Sequence, residues 1–177
     1  MIFRDTPLPH ITQSLVYVSQ QESKLPTLLQ YLTSPAGYTP PIIVFTSTQA
    51  RASSLLSELL IAGVKNAEAL HAGMTRHERE QCVKRMLQGE IWVLVTTDVL
   101  ARGMDFGGVQ GVINFDWPES VQSYIHRIGM IAHLSSNPID TFLRKNRSCR
   151  ASRNGYHILY RRGRSLLEIV CVLHQPL

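Results

Sequence analysis

Long hydrophobic runs are missing from this sequence. No apolar stretch approaches the roughly 18 residues that a membrane-spanning helix requires, and the opening "MIFRDTPLPH" lacks the apolar core of a secretory signal. Cysteine is scarce. Cys82, Cys149 and Cys171 are odd in number, far apart and without a C-x-x-C pair, which speaks against a disulfide framework or a zinc site and makes free thiols the expectation. The histidines, His71 and His77 among them, also lack metal-ligand spacing. With 44% hydrophobic and 18% charged residues, the composition is that of a globular protein rather than a disordered chain. At 177 residues it is most simply one domain with a single core, and an intracellular location is expected.

Excess acidic charge is also absent, but the net +5 is unevenly placed. Residues 1–129 hold ten Lys/Arg against eleven Asp/Glu, whereas residues 130–177 hold eight against two. The whole positive excess therefore lies in the tail. Taken alone, such a tail is equally a phosphate-binding arm or the product of an arbitrary reading frame.

What is present is an alternation of strand and helix patterns. "SLVYVS" is strand-like and "QESKLPTLLQYL" follows with helical spacing. "PPIIVFTS" leads into "TQARASSLLSELLIAG", where Thr46, Ser47 or Thr48 can cap and Gly63 can terminate. A short strand at "AEAL", the helical "TRHEREQCVKRMLQG", the buried-looking "IWVLVTT", the short helical "DVLARG" and the strand in "VQGVINFDWP" come next. "ESVQSYIHRIG" reads as a helix with Glu119 in its first turn. Repeated β-α order with near-continuous apolar strands implies a parallel, doubly wound sheet. Such sheets bind ligands in the loops beyond the carboxyl ends of their strands, here the loops after "VFT", "EAL", "LVT" and "INFD". Beyond residue 129 the pattern fades, and only "YHILY" and "LLEIVCVL" are apolar enough to pack.

Several of these loops carry phosphate-compatible groups. Thr96, Thr97 and the backbone around Arg102 and Gly103 can donate hydrogen bonds to phosphates, and Asp105 can accept from a ribose hydroxyl. Gly73 in "LHAGM" permits close backbone approach, and Arg76 and Arg79 in the next helix can pair with phosphates. Each signal is weak alone, since a T-T-D turn is usually a cap and a helical arginine usually a solvated face. Their order is specific. "IIVFTST", "LHAGM", "VLVTTDVLARGMDF", "VINFDWP" and "YIHRIG" together resemble the second RecA-like domain of DEAD-box RNA helicases over about residues 15–129. The segment from Ile91 to Gly129 is most similar to the branch that assists small-ribosomal-subunit assembly in the nucleolus.

The resemblance implies a RecA-like α/β parallel sheet with helices on both faces, and it implies roles by position. Val44, Phe45 and Thr46 correspond to motif IV, near the RNA backbone; Gly73 and Arg79 correspond to further backbone contacts. In motif V, Thr97 and Gly103 fall at RNA-facing or loop-shaping positions and Asp105 at the nucleotide ribose. In motif VI, His126 and Arg127 hold the opening positions that organise the interface between the two helicase halves, with Arg127 also at the nucleotide. Arg76 stands where the family usually has glutamine. The implied cofactors are ATP and Mg2+ in an intact two-domain parent. The implied partners are RNA, above all pre-rRNA, an N-terminal RecA-like domain and a helicase cofactor protein, with no membrane; the implied location is the nucleus or nucleolus.

Two departures qualify this. The sequence has no G-x-x-x-x-G-K-[ST] loop, no Q motif and no "DEAD", so no RNA-stimulated ATP hydrolysis by this chain alone is expected. In addition, the family motif continues "HRIGRTGR", and its later arginines stabilise charge on the γ-phosphate; here Met130 and His133 stand in their places. Loss of such arginines removes a large rate contribution.

The tail accounts for the second departure. Shifted by one base from Arg144, synonymous codons permit "GRTGRAGR" up to Ser152, and from Gly155 to Ile169 they permit "AITFFTEEDDPFLK". Those are the missing end of motif VI and the strand that follows it in the family. The codons at 129–130, 136–137 and 144–145 can supply donor, branch-point and acceptor signals of a short fungal-type intron. The expected organisation is then a linker remnant at 1–13, the helicase C-terminal RecA-like domain at 14–129, and an irregular basic tail at 130–177 made of translated intron and shifted frame. Rival readings are a non-enzymatic RNA- or protein-binding module that competes with a full helicase, and a DNA-repair helicase half. The wording of "ARGMDF" and "HRIG" disfavours the second.

Overall fold

The computed structural model describes residues 13–18, 20–34, 38–98, 106, 108–132, 156–162 and 167–174. Strand β1 (Gln13–Val18) is followed by a short 3-10 turn and helix α1 (Lys24–Thr33). Then come β2 (Ile42–Phe45), α2 (Gln49–Ile61), β3 (Ala67–Leu70), α3 (Arg76–Leu87), β4 (Val93–Thr96), β5 (Gly111–Asn114) and α4 (Val121–Ala132). Strands β6 (Tyr156–Arg162) and β7 (Leu167–His174) close the order. The sheet runs β1-β7-β6-β5-β2-β4-β3. The half formed by β5-β2-β4-β3 is wholly parallel.

The four-residue strands β2, β4 and β5 are buried along their whole length, which is why they read as unbroken apolar runs: both faces of a parallel sheet are covered. Successive residues face opposite ways. Ile43, Phe45, Leu94 and Val112 point to one face, where Cys82 and Met86 of α3 and Met130 of α4 complete a cluster. Ile42, Val44, Val93, Val95 and Ile113 point to the other, against Leu28 and Leu32 of α1 and Ala52, Leu55 and Leu59 of α2. Each such leucine contributes about 1.5–3 kcal/mol by leaving water. Burial also pushes the free Cys82 thiol up to about 12, leaving it a small apolar side chain rather than a nucleophile.

Local chemistry sets the helix ends. Thr48 caps α2, its hydroxyl accepting from the Arg51 amide at 3.2 Å. Thr75 and Glu78 form a reciprocal capping box on α3. Gly63 at φ 84° and Gly89 at φ 79° let the chain turn left-handed after α2 and α3. The amides of Val64 and Glu90 then bond back to the carbonyls of Leu59 and Arg85, and those of Gly63 and Gly89 to Leu60 and Met86. Both ends are Schellman motifs, with glycine where a Cβ would be strained.

Three sequence expectations are corrected. Glu119 precedes α4 rather than lying in its first turn, because the Ser120 hydroxyl takes the Ser123 amide at 3.1 Å and acts as the cap. The helix does not stop near Gly129 but runs to Ala132, carrying Met130 into the core. The tail is not irregular throughout: "YHILYRR" and "LEIVCVLH" form β6 and β7. β6 pairs antiparallel with β5 and β7, and β7 lies parallel to β1. Runs rich in aromatic and β-branched residues satisfy their backbone groups by extending an existing sheet edge. The "DVLARG" segment lies outside the described residues beyond Asp98.

Candidate nucleic-acid interface

Leu70, Thr96, Phe45 and Asn114 stand in register across β3, β4, β2 and β5. Because the four strands are parallel, the segments that follow all leave the sheet at one edge: 46–48, 71–75, 97–98 and 115–120. Hydrogen bonds fix the loop roots. The Thr46 amide donates to the Thr96 carbonyl at 2.9 Å, and the Thr96 hydroxyl to the Leu70 carbonyl at 2.9 Å. This edge is where a doubly wound sheet places its ligand.

Gly73, Arg76 and Arg79 lie on one side of that edge, Gly73 exposed in the loop and the two arginines in the first turns of α3. Arg76 is spent on Glu80, 2.7 Å away on the same exposed helix face, a pair that is readily broken in solvent. Arg79 forms no ion pair among the described residues and is half-buried beside the cap. The space above Gly73 is not open: a Cβ there would collide with the Gln49 carboxamide and lie 3.3 Å from the His71 Nδ1. Gln49, at the first turn of α2, thus reaches across to the loop of β3. Thr97 is buried at the mouth of its loop. Gly103 and Asp105, assigned to loop shaping and to the ribose, lie outside the described residues.

Motif IV and motif VI positions meet inside the domain. Arg127 is 1% exposed and is the largest fully buried side chain among the described residues. Its Nε and Nη2 donate to the two carboxylate oxygens of Asp98, each at 2.7 Å. Its Nη1 donates to the Asp116 carbonyl at 3.1 Å and to the Asn114 Oδ1. Its guanidinium carbon stands 4.5 Å from the centre of the Phe45 ring. The side chain expected at the nucleotide is therefore turned inward, where it ties α4 to the loops after β4 and β5. Phe45 and Thr46, expected near RNA, are likewise buried; Phe45 offers its ring face to Arg127, and the Thr46 hydroxyl donates to the Thr96 carbonyl at 3.3 Å. These residues shape the edge from below. His126 is only partly buried, but its Nε2 is enclosed and makes no hydrogen bond among the described residues, as is true of the Asn114 Nδ2.

A second buried arrangement adjoins the first. Asp116 accepts from the Lys24 ammonium at 3.1 Å through Oδ1, and through Oδ2 from the Ser47 amide at 2.9 Å and hydroxyl at 3.1 Å. Burial works to raise the Asp116 carboxyl, but the Ser47 amide bond and the Lys24 charge outweigh it and hold the group below its ordinary value. Desolvation dominates on Lys24 and lowers it. Sequence pattern places Ser47 and Asp98 only as possible helix caps, and it gives Asn114, Asp116, Lys24 and Gln49 no role. Asp98 and Asp116 carried a signal, since both directly follow predicted strands; a lysine opening a helix reads as solvated and carried none.

One groove of about 450 Å³ lies elsewhere, lined by Leu32, Tyr38, Pro40, Val64 and Trp92 at the opposite ends of the strands. It includes none of the loops above.

A parallel sheet with helices on both faces and phosphate-compatible loops at its carboxyl edge defines the class: a RecA-like domain of the helicase type. The chain belongs to the helicase conserved C-terminal domain family, whose model matches residues 23–134. It is similar to the ATP-dependent RNA helicase CHR1 of Candida albicans, 46% identical over 119 residues, covering 67% of this chain and 20% of that protein. Among solved structures it is similar to the DEAD-box protein SrmB of E. coli bound to the regulator of ribonuclease activity A, at 35% identity and TM-score 0.65, covering 73% of this chain and 75% of that one. It is also similar to Dbp5 of S. cerevisiae bound to RNA and ADP BeF3, at 30% identity and TM-score 0.56, covering 66% of this chain and 31% of that one. The chain spans about a fifth of the length of the curated relatives it matches.

Proposed function

We propose that this chain forms the second RecA-like half of an ATP-dependent RNA helicase acting in ribosomal RNA processing and ribosome assembly, in the nucleolus. The observation that carries the reading is the convergence of segments 46–48, 71–75 and 97–98 at one sheet edge, with Gly73, Arg79 and Thr97 along it. An RNA backbone laid over this edge would find Arg79 as a cation that forms no ion pair among the described residues. Such contacts position a strand without reading its bases, which suits an enzyme that must act on many sequences. That the related Dbp5 of S. cerevisiae is seen bound to RNA and ADP BeF3 supports RNA as the ligand.

The other half of the parent would supply the phosphate loop for ATP. That half would also hold the Mg2+. This chain's part is to bind the RNA backbone and to present its strand-end loops to the N-terminal domain, with a helicase cofactor protein and pre-rRNA as the further partners. Residues after 129 are read as translated intron followed by shifted frame, a reading that transcript sequencing tests.

The test is fluorescence anisotropy of the 177-residue chain with labelled single-stranded RNA and DNA across a salt series. Weak binding that prefers RNA and falls steeply with salt is expected. Arg79→Ala should flatten the log–log salt slope by about 0.7, the contribution of one phosphate contact on a single strand. Equal binding of both nucleic acids with no change in Arg79→Ala would refute it.

A further inference from the structure

The loop that caps α2 lies at the proposed RNA face, yet its own residues do little to hold Ser47 in place. The Thr46 amide is anchored on the Thr96 carbonyl, and Thr48 is anchored by its capping bond to Arg51. Between them, Ser47 directs both its amide and its hydroxyl to one carboxylate oxygen of Asp116, a residue 69 positions away in sequence. The other oxygen of that carboxylate receives Lys24 from α1. The backbone carbonyl of the same residue receives Arg127 from α4. Asp116 is 9% exposed, and α1, the α2 loop and α4 all bond to it.

The geometry points to Asp116 as a positioning residue: its carboxylate sets the conformation of the Ser47 loop at the candidate RNA face through Oδ2, while Lys24 compensates its charge at Oδ1. This rests on the RNA-binding reading above for its functional consequence but not for its structural content. A carboxylate suits the task. It accepts two bonds from Ser47 on one oxygen and one from an ammonium on the other, and charge-assisted bonds are the strong ones. An asparagine there would have to turn its NH2 toward either Ser47 or Lys24, both of which donate. Asp116 also fills the space before the α2 amino terminus with negative charge, which that helix end favours. The loop is therefore held in place before any RNA arrives.

The experiment is residue-resolved hydrogen exchange of the full chain, comparing Asp116→Ala, Lys24→Met and the double variant Lys24→Met/Asp116→Ala. The double variant leaves no unpaired buried lysine and keeps the test open if Asp116→Ala does not fold. Relative to the neighbouring Thr46 amide, whose acceptor is Thr96, the Ser47 amide should exchange at least about tenfold faster in the variants lacking Asp116. In Lys24→Met the ratio of Ser47 to Thr46 exchange should stay as in the wild type. An unchanged ratio in the double variant, or equal rises in Lys24→Met and the double variant, would overturn the assignment. Anisotropy with labelled single-stranded RNA then separates the two readings. Loosened Ser47 with weakened RNA binding supports both. Loosened Ser47 in a chain whose wild type binds no RNA upholds the positioning role and defeats the RNA-binding reading.

Discussion

Replacing Arg127 with methionine should strongly destabilise the domain. The substitution keeps most of the aliphatic stem and removes the guanidinium, which is 1% exposed and bonded to Asp98, Asn114 and the Asp116 carbonyl. Breaking a buried ion pair from one side costs about 3–5 kcal/mol, because the partner is left uncompensated. Asp98 keeps a side-chain exposure of 20%, so water relieves part of its loss and the figure belongs at the lower end. The Asn114 Oδ1 and Asp116 carbonyl are more enclosed, and each unsatisfied acceptor costs about 1–3 kcal/mol. These terms share one side chain and do not add; a net of about 3–5 kcal/mol is expected. For a chain of this size that lowers the melting temperature by about 6–20 °C. Arg127→Lys should recover only a fraction, since an ammonium cannot span the Asp98 carboxylate bidentately while reaching Asn114. Thermal unfolding followed by circular dichroism measures it, with the solvent-exposed Arg76→Ala as the control expected within about 0.5 kcal/mol of wild type. A shift of Arg127→Met no larger than that of the control would refute the argument that this arginine is a structural strut.

Two further outcomes follow from the same observations. Asp116 is held below its ordinary value of 3.8 in the folded chain, so the folded state binds fewer protons there than the unfolded one. Its contribution is present above 3.8 and is lost as pH falls through the lower folded value; urea midpoints of wild type and Asp116→Ala should therefore converge on acidification below about pH 4, and a constant gap would count against it. Sequencing the mature transcript across the codons for 128–148 should reveal a spliced form that restores "HRIGRTGR"; an uninterrupted message alone would leave the tail as a true product and remove the intron reading.

The strand and helix order was legible because parallel strands covered on both faces must be continuously apolar, and "IIVF", "VLVT" and "GVIN" are nearly so. The helix ends at Gly63 and Gly89 were legible for a similar reason, since only a residue without Cβ turns left-handed without strain. Beyond 129 the expectation of irregular structure failed at β6 and β7. Pattern alone could show that those runs were apolar but not that the β5 edge would offer them hydrogen bonds. Arg127 was noticed for its place in a motif, yet sequence spacing says nothing about the direction of a guanidinium.

The sequence by itself determined the family, the α/β alternation and the loops at which ligand chemistry gathers, because these depend on residue type, period and order along the chain. Only the tertiary structure decided which polar residues face out and which are spent within. Gly73 and Arg79 lie at the edge, while Arg127, Asp98, Asn114, Asp116 and Lys24 face one another beneath it. Those partners are 11 to 92 positions apart, and buried charges must pair wherever the fold brings them together. Local pattern carries no record of that pairing.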